Sequence, residues 1–232
     1  MIVPIYNEIN TVEKRLDELI KIQSDLNDLE IIVIESNSTD GTKDVLNKYL
    51  KLKNWEIIFQ DQARGKGNAV RSAFKYVKGK IVAIIDADLE YDLEDLKILI
   101  EPILSGKAKF VLGNRHNGTN TFRVYNSKLK TLTMSLAHQF FTFLINFRFR
   151  TKLKDPWTMY KVFEFEIIKD IKFNCNRFDF DWELMIRILQ KGIAPLEIPV
   201  KYTSRDFSEG KKVRFFYDPL TWLLIYFKTF FK

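Results

Sequence analysis

A single cysteine, Cys175, excludes a disulfide framework and a cysteine zinc site, and makes a reducing compartment the default. No histidine stands near it in the chain, so it reads as a packed thiol and not as a nucleophile. The two histidines, His116 and His138, lie far apart in different sequence contexts and are not expected to form a metal site with each other. Six prolines and nine glycines form no linker or low-complexity segment, and no repeat divides the chain. No run of about 20 apolar residues is free of charge, so no membrane span is expected. The opening MIVPIYNE has no signal-peptide pattern. Its first strand is short, as it would be in a chain with residues missing before Met1. No arginine-rich block or RNA-binding aromatic signature points to nucleic acid, so none is expected as a partner.

What the chain does have is aromatic mass and positive charge. Twenty phenylalanines and nine tyrosines gather toward the C-terminal half, and the net charge is +7. A basic surface suits anionic lipid or phosphorylated substrates. Two apolar segments, Leu132 to Phe147 and Phe215 to Phe231, are flanked by lysines and arginines. That pattern fits helices lying on an anionic membrane, and it equally fits buried core helices or a dimer contact.

Up to about residue 112, strand-like apolar runs alternate with helical patterns. The runs are Ile2–Pro4, Glu30–Ile34, Trp55–Phe59, Ile81–Ile85 and Phe110–Leu112. The helical patterns lie near residues 9–22, 41–49, 67–77 and 93–104. Such alternation predicts a mostly parallel sheet with helices on both faces. Asp40 is expected near a helix cap. Beyond residue 112 the rhythm breaks: a polar loop, a long apolar helix, a helix near 181–190, a strand near 194–200 and an aromatic tail.

Polar residues punctuate the strand ends, where such sheets bind ligands. Asp86-Ala87-Asp88 closes the fourth run; its paired carboxylates suit Mg²⁺ or Mn²⁺, which can hold a diphosphate. The first run ends in Pro4-Ile5-Tyr6-Asn7-Glu8, where Tyr6 can stack on a base and Glu8 can accept from a ribose hydroxyl. The second ends in Glu35 followed by hydroxyl residues and Asp40. After the third comes Arg64-Gly65-Lys66-Gly67, a glycine-rich basic turn opening a helix, which reads as an anion site or as a plain basic turn.

Taken in order, P-x-Y-N-E, S-x-S-T-D-G-T, R-G-K-G-x-A and D-A-D resemble a family 2 glycosyltransferase of the GT-A fold. Within that family the chain is most similar to the dolichol-phosphate mannosyltransferase and polyprenyl-phosphate glycosyltransferase group. The resemblance implies an α/β fold, a mostly parallel sheet flanked by helices, with C-terminal amphipathic interface helices. Residues 1–213 would be the catalytic domain, with 1–115 the nucleotide-sugar half and 116–213 the acceptor half. Residues 214–232 would be a tail helix. Carried over by position, Pro4, Tyr6, Glu8, Glu35, Lys66, Asp86, Ala87 and Asp88 would form the nucleotide-sugar site. Asp86 and Asp88 would hold the metal. The family often carries Asp-Asp where this chain has Glu35-Ser36, so GDP and UDP both stay open. Glu90 follows the aspartates as an extra ligand or a helix-leading acid.

Gly113-Asn114-Arg115 is similar to the family's G-S-R, which puts Arg115 at the donor phosphates or acceptor. Arg123 and Ser127 match an acceptor-phosphate pattern. Asp155-Pro156-Trp157-Thr158-Met159-Tyr160-Lys161 looks like D-x-x-S-G-Y-R, with Lys161 keeping the charge of the arginine but losing its fork. Phe178 to Glu183 resembles the acidic segment that supplies a base; Asp181 is the first candidate and Glu183 the second. The stretch from Ser204 to Lys212 is similar to a loop that closes over the donor and lies at the membrane, and Arg205 and Lys211 would be acceptor-binding. The resemblance implies inverting transfer from a nucleotide sugar to a polyprenyl phosphate by a cytoplasmic protein, peripheral on the cytoplasmic face of a membrane. Transfer to a sugar hydroxyl in surface glycan synthesis, a non-catalytic subunit of the same fold, and homo-oligomer formation stay open.

Overall fold

The computed structural model describes residues 1–26, 28–116, 128–205 and 217–229. Among them, short runs of β-branched and aliphatic residues form β1 (Ile2–Ile5), β2 (Ile31–Glu35), β3 (Trp55–Phe59), β4 (Ile81–Ile84) and β5 (Phe110–Asn114). β6 (Lys161–Glu164) and β7 (Leu196–Pro199) complete one sheet in the order β3-β2-β1-β4-β6-β5-β7. β1, β2, β3 and β4 pair in parallel, as do β5 and β7. β6 alone runs antiparallel, between β4 and β5. The helices between the strands are α1 (Val12–Asp25), α2 (Thr42–Leu46), α3 (Lys66–Ala73), α4 (Leu96–Leu104), α5 (Lys128–Phe149), α6 (Asp179–Gln190) and α7 (Tyr217–Lys228).

Side chains alternate across the sheet, so each strand feeds two cores. Ile2, Ile32, Ile34, Ile84 and Leu112 point to one side, where α3, α5, α6 and α7 cover them. Val3, Ile31, Val33, Ala83 and Val111 point to the other, under α1, α2 and α4. This is why the strands read as continuous apolar runs: both faces are buried. α1 buries Val12, Leu16, Leu19 and Ile22, a helical spacing that places one apolar stripe on the sheet. At the start of α2, Asp40 accepts from the Thr42 backbone N–H at 3.0 Å, close to the expected cap.

The glycine-rich turn has a packing role. Gly65 adopts φ +99°, a left-handed conformation that favours glycine. Gly67 lies where α3 meets the N-terminus of α6: a Cβ there would collide with the Phe180 Cβ and meet the Cys175 carbonyl at 2.8 Å. The close backbone approach is therefore to the chain itself, and the Asn68 N–H donates to the Asn176 carbonyl at 3.0 Å. Gly67→Ala is expected to cost about 1–3 kcal/mol through overpacking. Urea unfolding would measure it, and an unchanged midpoint would refute this account.

α5 sits with Phe141 and Ile145 in the core, whereas Leu132, Leu136, Phe140, Phe143 and Phe147 are exposed. The exposed five recur at helical spacing and form one outward stripe. α7 repeats the arrangement, with Trp222, Ile225 and Tyr226 inward and Leu220, Leu224 and Phe227 outward. Arg148 ties the two helices together by donating to the Tyr226 carbonyl at 2.8 Å. No helix among the described residues is long and apolar enough to cross a membrane.

Candidate active site

The C-terminal ends of β1, β4 and β5 open onto a cavity of about 970 Å³. Because β6 is antiparallel, its first residue, Lys161, pairs with Ile84 and Leu112 and so reaches the same edge. One half of the cavity is polar and is walled by Pro4, Tyr6, Glu8, Lys66, Asp86, Ala87, Asp88 and Arg205. The other half lies under α5 and α7, against Met134, Thr142, Phe143, Trp157, Pro219 and Trp222. Arg115, His116 and His138 also line it.

Two clusters of charge organise the polar half. In the first, Asp88, Glu90 and Glu8 surround the Arg205 guanidinium, which is 3.0 Å from Glu8 and 3.2 Å from Asp88. Glu90 accepts from the Tyr202 hydroxyl at 2.7 Å and the Arg205 N–H at 2.9 Å. Burial, reinforced by Asp86 and Glu90, pushes the Asp88 carboxyl up to about 7, with Arg205 opposing.

In the second cluster, the Lys66 ammonium is 2.9 Å from Asp86 and 3.4 Å from Asp181. Burial alone would lower its pKa, but the carboxylates of Asp181 and Asp86 override that and hold it above the ordinary lysine value. Lys161, fully buried, approaches the other Asp181 oxygen at 3.7 Å and donates to the Thr158 carbonyl. Burial pushes the Lys161 ammonium down to about 8 against the pull of Asp181. Asp181 is 4% exposed and borders a separate small void instead of the main cavity. Glu183 accepts from the backbone N–H groups of Asn174 and Cys175, both at 2.9 Å.

Arg115 is held by Asp155. The carboxylate accepts from Nε at 2.7 Å, from a terminal nitrogen at 2.6 Å and from the Arg115 backbone N–H at 3.0 Å. Burial opposes the Arg115 charge, but Asp155 raises its pKa well above the ordinary value; reciprocally, burial would raise Asp155 and Arg115 holds it far below.

Glu35 is fully buried and turned into its own loop, accepting from the N–H groups of Asn37 at 3.0 Å and Ser38 at 2.6 Å. Ser36, beside it, is the residue on the cavity wall. Arg123, Ser127 and Lys211 lie outside the described residues. One sequence expectation is corrected: His116 and His138, read as unrelated, have their Nε2 atoms 3.4 Å apart. α5 folds back across the end of β5 and closes the long gap between them. Asp155 as their common neighbour was likewise not legible, since it arrives on the loop before the antiparallel strand.

A sheet with this strand order, one antiparallel insertion and an Asp-x-Asp at the end of β4 is the GT-A fold of nucleotide-diphospho-sugar transferases. The chain belongs to glycosyl transferase family 2, whose family model matches residues 1–172. It is 28% identical to the dolichyl-phosphate beta-glucosyltransferase of Saccharomyces cerevisiae, over 90% of this chain and 68% of that protein. It is 24% identical to the dolichol-phosphate mannosyltransferase of Pyrococcus furiosus, over 91% of this chain and 58% of the relative. Among solved structures, glucosyl-3-phosphoglycerate synthase from Mycobacterium tuberculosis, in complex with Mn²⁺, UDP and phosphoglyceric acid, superimposes with a TM-score of 0.65. That match has 22% identity and covers 90% of this chain and 71% of the other. A mannosyltransferase from Pyrobaculum calidifontis, in complex with GDP-Man and Mn²⁺, gives a TM-score of 0.56 at 19% identity, over 85% of this chain and 53% of that one. The protein is thus a glycosyltransferase of a family whose relatives include dolichyl-phosphate enzymes.

Proposed function

We propose that the protein transfers a hexose from a UDP- or GDP-sugar to a polyprenyl phosphate at a membrane surface, with inversion at the anomeric carbon. The observation that carries this reading is the shape of the cavity. A charged region at the strand ends runs into a region beneath α5 and α7 where Met134, Phe143, Trp157 and Trp222 stand among Ser135, Gln139, Thr142 and Asn146, and the outer faces of both helices are apolar. A charged donor and a lipid acceptor could share such a space. The likeness to the yeast dolichyl-phosphate beta-glucosyltransferase and the Pyrococcus dolichol-phosphate mannosyltransferase supports the same acceptor class.

The residues present fit a divalent metal. Asp86, Asp88 and Glu90 offer only oxygen donors, and Arg205 already stands among Glu8, Asp88 and Glu90 as a cation. Asp86 and Asp88, with Glu90 beside them, would hold Mg²⁺ or Mn²⁺, which would neutralise charge on the departing diphosphate. Lys66, kept charged by two carboxylates, lines the same wall and adds fixed positive charge for that leaving group. The acceptor phosphate oxygen attacks the anomeric carbon as the bond to the nucleoside diphosphate breaks on the opposite face. A phosphate monoester is largely ionised near neutral pH, so the attacking oxygen needs positioning and no proton abstraction. Asp181 then serves to hold Lys66 and Lys161, and Arg115, fixed by Asp155, faces the cavity as a rigid cation.

This division of roles predicts that Asp181→Asn lowers transfer to a polyprenyl phosphate by about tenfold. A general base would cost about 10²–10⁴-fold. The assay is a panel of UDP- and GDP-sugars with Mn²⁺ and a short polyprenyl phosphate. Product on the lipid with the tenfold effect supports the reading. Donor turnover only with a glycan hydroxyl, abolished by Asp181→Asn, would replace it with the glycan acceptor.

The exposed stripes of α5 and α7 are the surface assigned to the bilayer. Phe140→Glu with Phe147→Glu should abolish flotation with anionic vesicles while leaving the far-UV CD spectrum unchanged. Undiminished flotation would remove the membrane from these helices.

A further inference from the structure

We propose that His116, His138 and Asp155 form a binding site for a divalent transition-metal cation of the zinc class, distinct from the aspartates at the end of β4. Three ligand atoms converge from three parts of the fold. His116 follows β5, His138 comes from α5, and Asp155 from the loop before β6. The two Nε2 atoms are 3.4 Å apart; His138 Nε2 is 3.3 Å and His116 Nε2 3.9 Å from Asp155 Oδ1. Ligands at about 2.0–2.1 Å from a tetrahedral ion are about 3.3–3.4 Å from one another, so the triangle is close to the size such an ion needs.

The chemistry of these atoms selects the occupant. Two imidazole nitrogens and a carboxylate oxygen face one another, a donor set of the kind that ligates a transition-metal cation. Imidazole nitrogen favours Zn²⁺, Co²⁺ or Ni²⁺ over Mg²⁺ and Mn²⁺, which the all-oxygen group of Asp86, Asp88 and Glu90 suits instead. The ligands are also pre-set. Asp155 is fully buried, and both its oxygens accept from the Arg115 side chain, which fixes the carboxylate plane. Its backbone N–H donates to Glu197 at 2.6 Å, and the His116 N–H donates to Asn114 at 2.8 Å. The indole of Trp157 lies 6.4 Å from the His138 ring. The positive charge of Arg115 sets a limit on affinity, so the site is expected to be weaker than a closed structural zinc site.

Both imidazoles line the cavity and Asp155 does not, so a fourth position is reached from the cavity. A cation there would offer one coordination place to a phosphate oxygen where the charged region meets the region beneath α5 and α7. That use rests on the acceptor proposed above; the binding of the metal does not.

The test uses tag-free protein stripped of metal, because His116 and His138 are the only histidines and any imidazole signal then belongs to them. Co²⁺ is titrated while visible absorption and the histidine ring proton resonances are followed, and Zn²⁺ affinity is measured by calorimetry. One equivalent is expected to bind with tetrahedral-type absorption, shifting both histidine resonances. Binding should persist in Asp88→Ala and weaken at least tenfold in His116→Asn and in His138→Gln. Two variants on different elements guard against a folding defect in either, checked by CD. The proposal is overturned if binding disappears with Asp88→Ala, if both histidine variants bind as the parent does, or if neither histidine resonance responds because the rings share only a proton. Loss of lipid transfer with metal binding intact would count against the acceptor reading alone.

Discussion

Asp88→Asn is expected to lower sugar transfer by about 10³-fold, the scale seen when one preorganised electrostatic group is removed from an active site. The same variant, in metal-free buffer, should melt at the parent temperature or above it. Both effects come from one arrangement. Asp88 is enclosed beside Asp86 and Glu90, with Arg205 opposing them at 3.2 Å, and burial with these acidic neighbours pushes its carboxyl up to about 7. A carboxyl raised in the folded state makes folding harder as pH climbs from its unfolded value toward the folded one. A neutral asparagine removes that repulsion. On the proposed function, the parent gives up stability to keep a site for a cation. Steady-state transfer with Mn²⁺ and a thermal melt with chelator check the two halves. Retention of more than about a tenth of the parent rate would mean that Asp88 is not a ligand of the reaction's cation.

Asp155→Ala should act in the opposite way, costing about 3–5 kcal/mol because it leaves the Arg115 charge enclosed without its partner. Arg115 is nearly inaccessible and Asp155 is fully so. For a chain of this size that loss lowers the melting temperature on the order of 10 °C. Replacing both residues, as Arg115→Met with Asp155→Leu, should recover much of the stability, since the penalty is the orphaned charge and not the lost attraction. Asp25→Ala provides the contrast. Its partner Lys97 is exposed at the surface, and no measurable change is expected. Thermal and urea unfolding of the three variants checks the order. Equal stability of Asp155→Ala and the parent would show that water reaches Arg115.

The parts of the site legible in the sequence are those fixed by local pattern. β1 to β5 were visible because strands buried on both faces must be apolar throughout, and their ends because glycine, proline and polar residues interrupt the runs. Asp86 and Asp88 could be placed at the cavity for the same reason. Glu35 shows the limit of that logic: it stands at a strand end, yet its carboxylate is fully buried and accepts from two N–H groups of its own loop. Gly67 is a second case, since a glycine beside a basic residue reads as room for an anion, while the space is taken by Phe180.

The sequence by itself determined the layered α/β fold, the succession of its first five strands along the chain and the position of the Asp-x-Asp at the end of the fourth, because these depend on periodicity and on residues adjacent in the chain. Only the tertiary structure decided which charges meet. The antiparallel course of β6 carries Asp155 and Lys161 to the edge where β4 and β5 end, and α5 returns His138 to within hydrogen-bonding distance of His116. Strand direction and helix return are set by how apolar faces pack over long separations, and no local pattern records them.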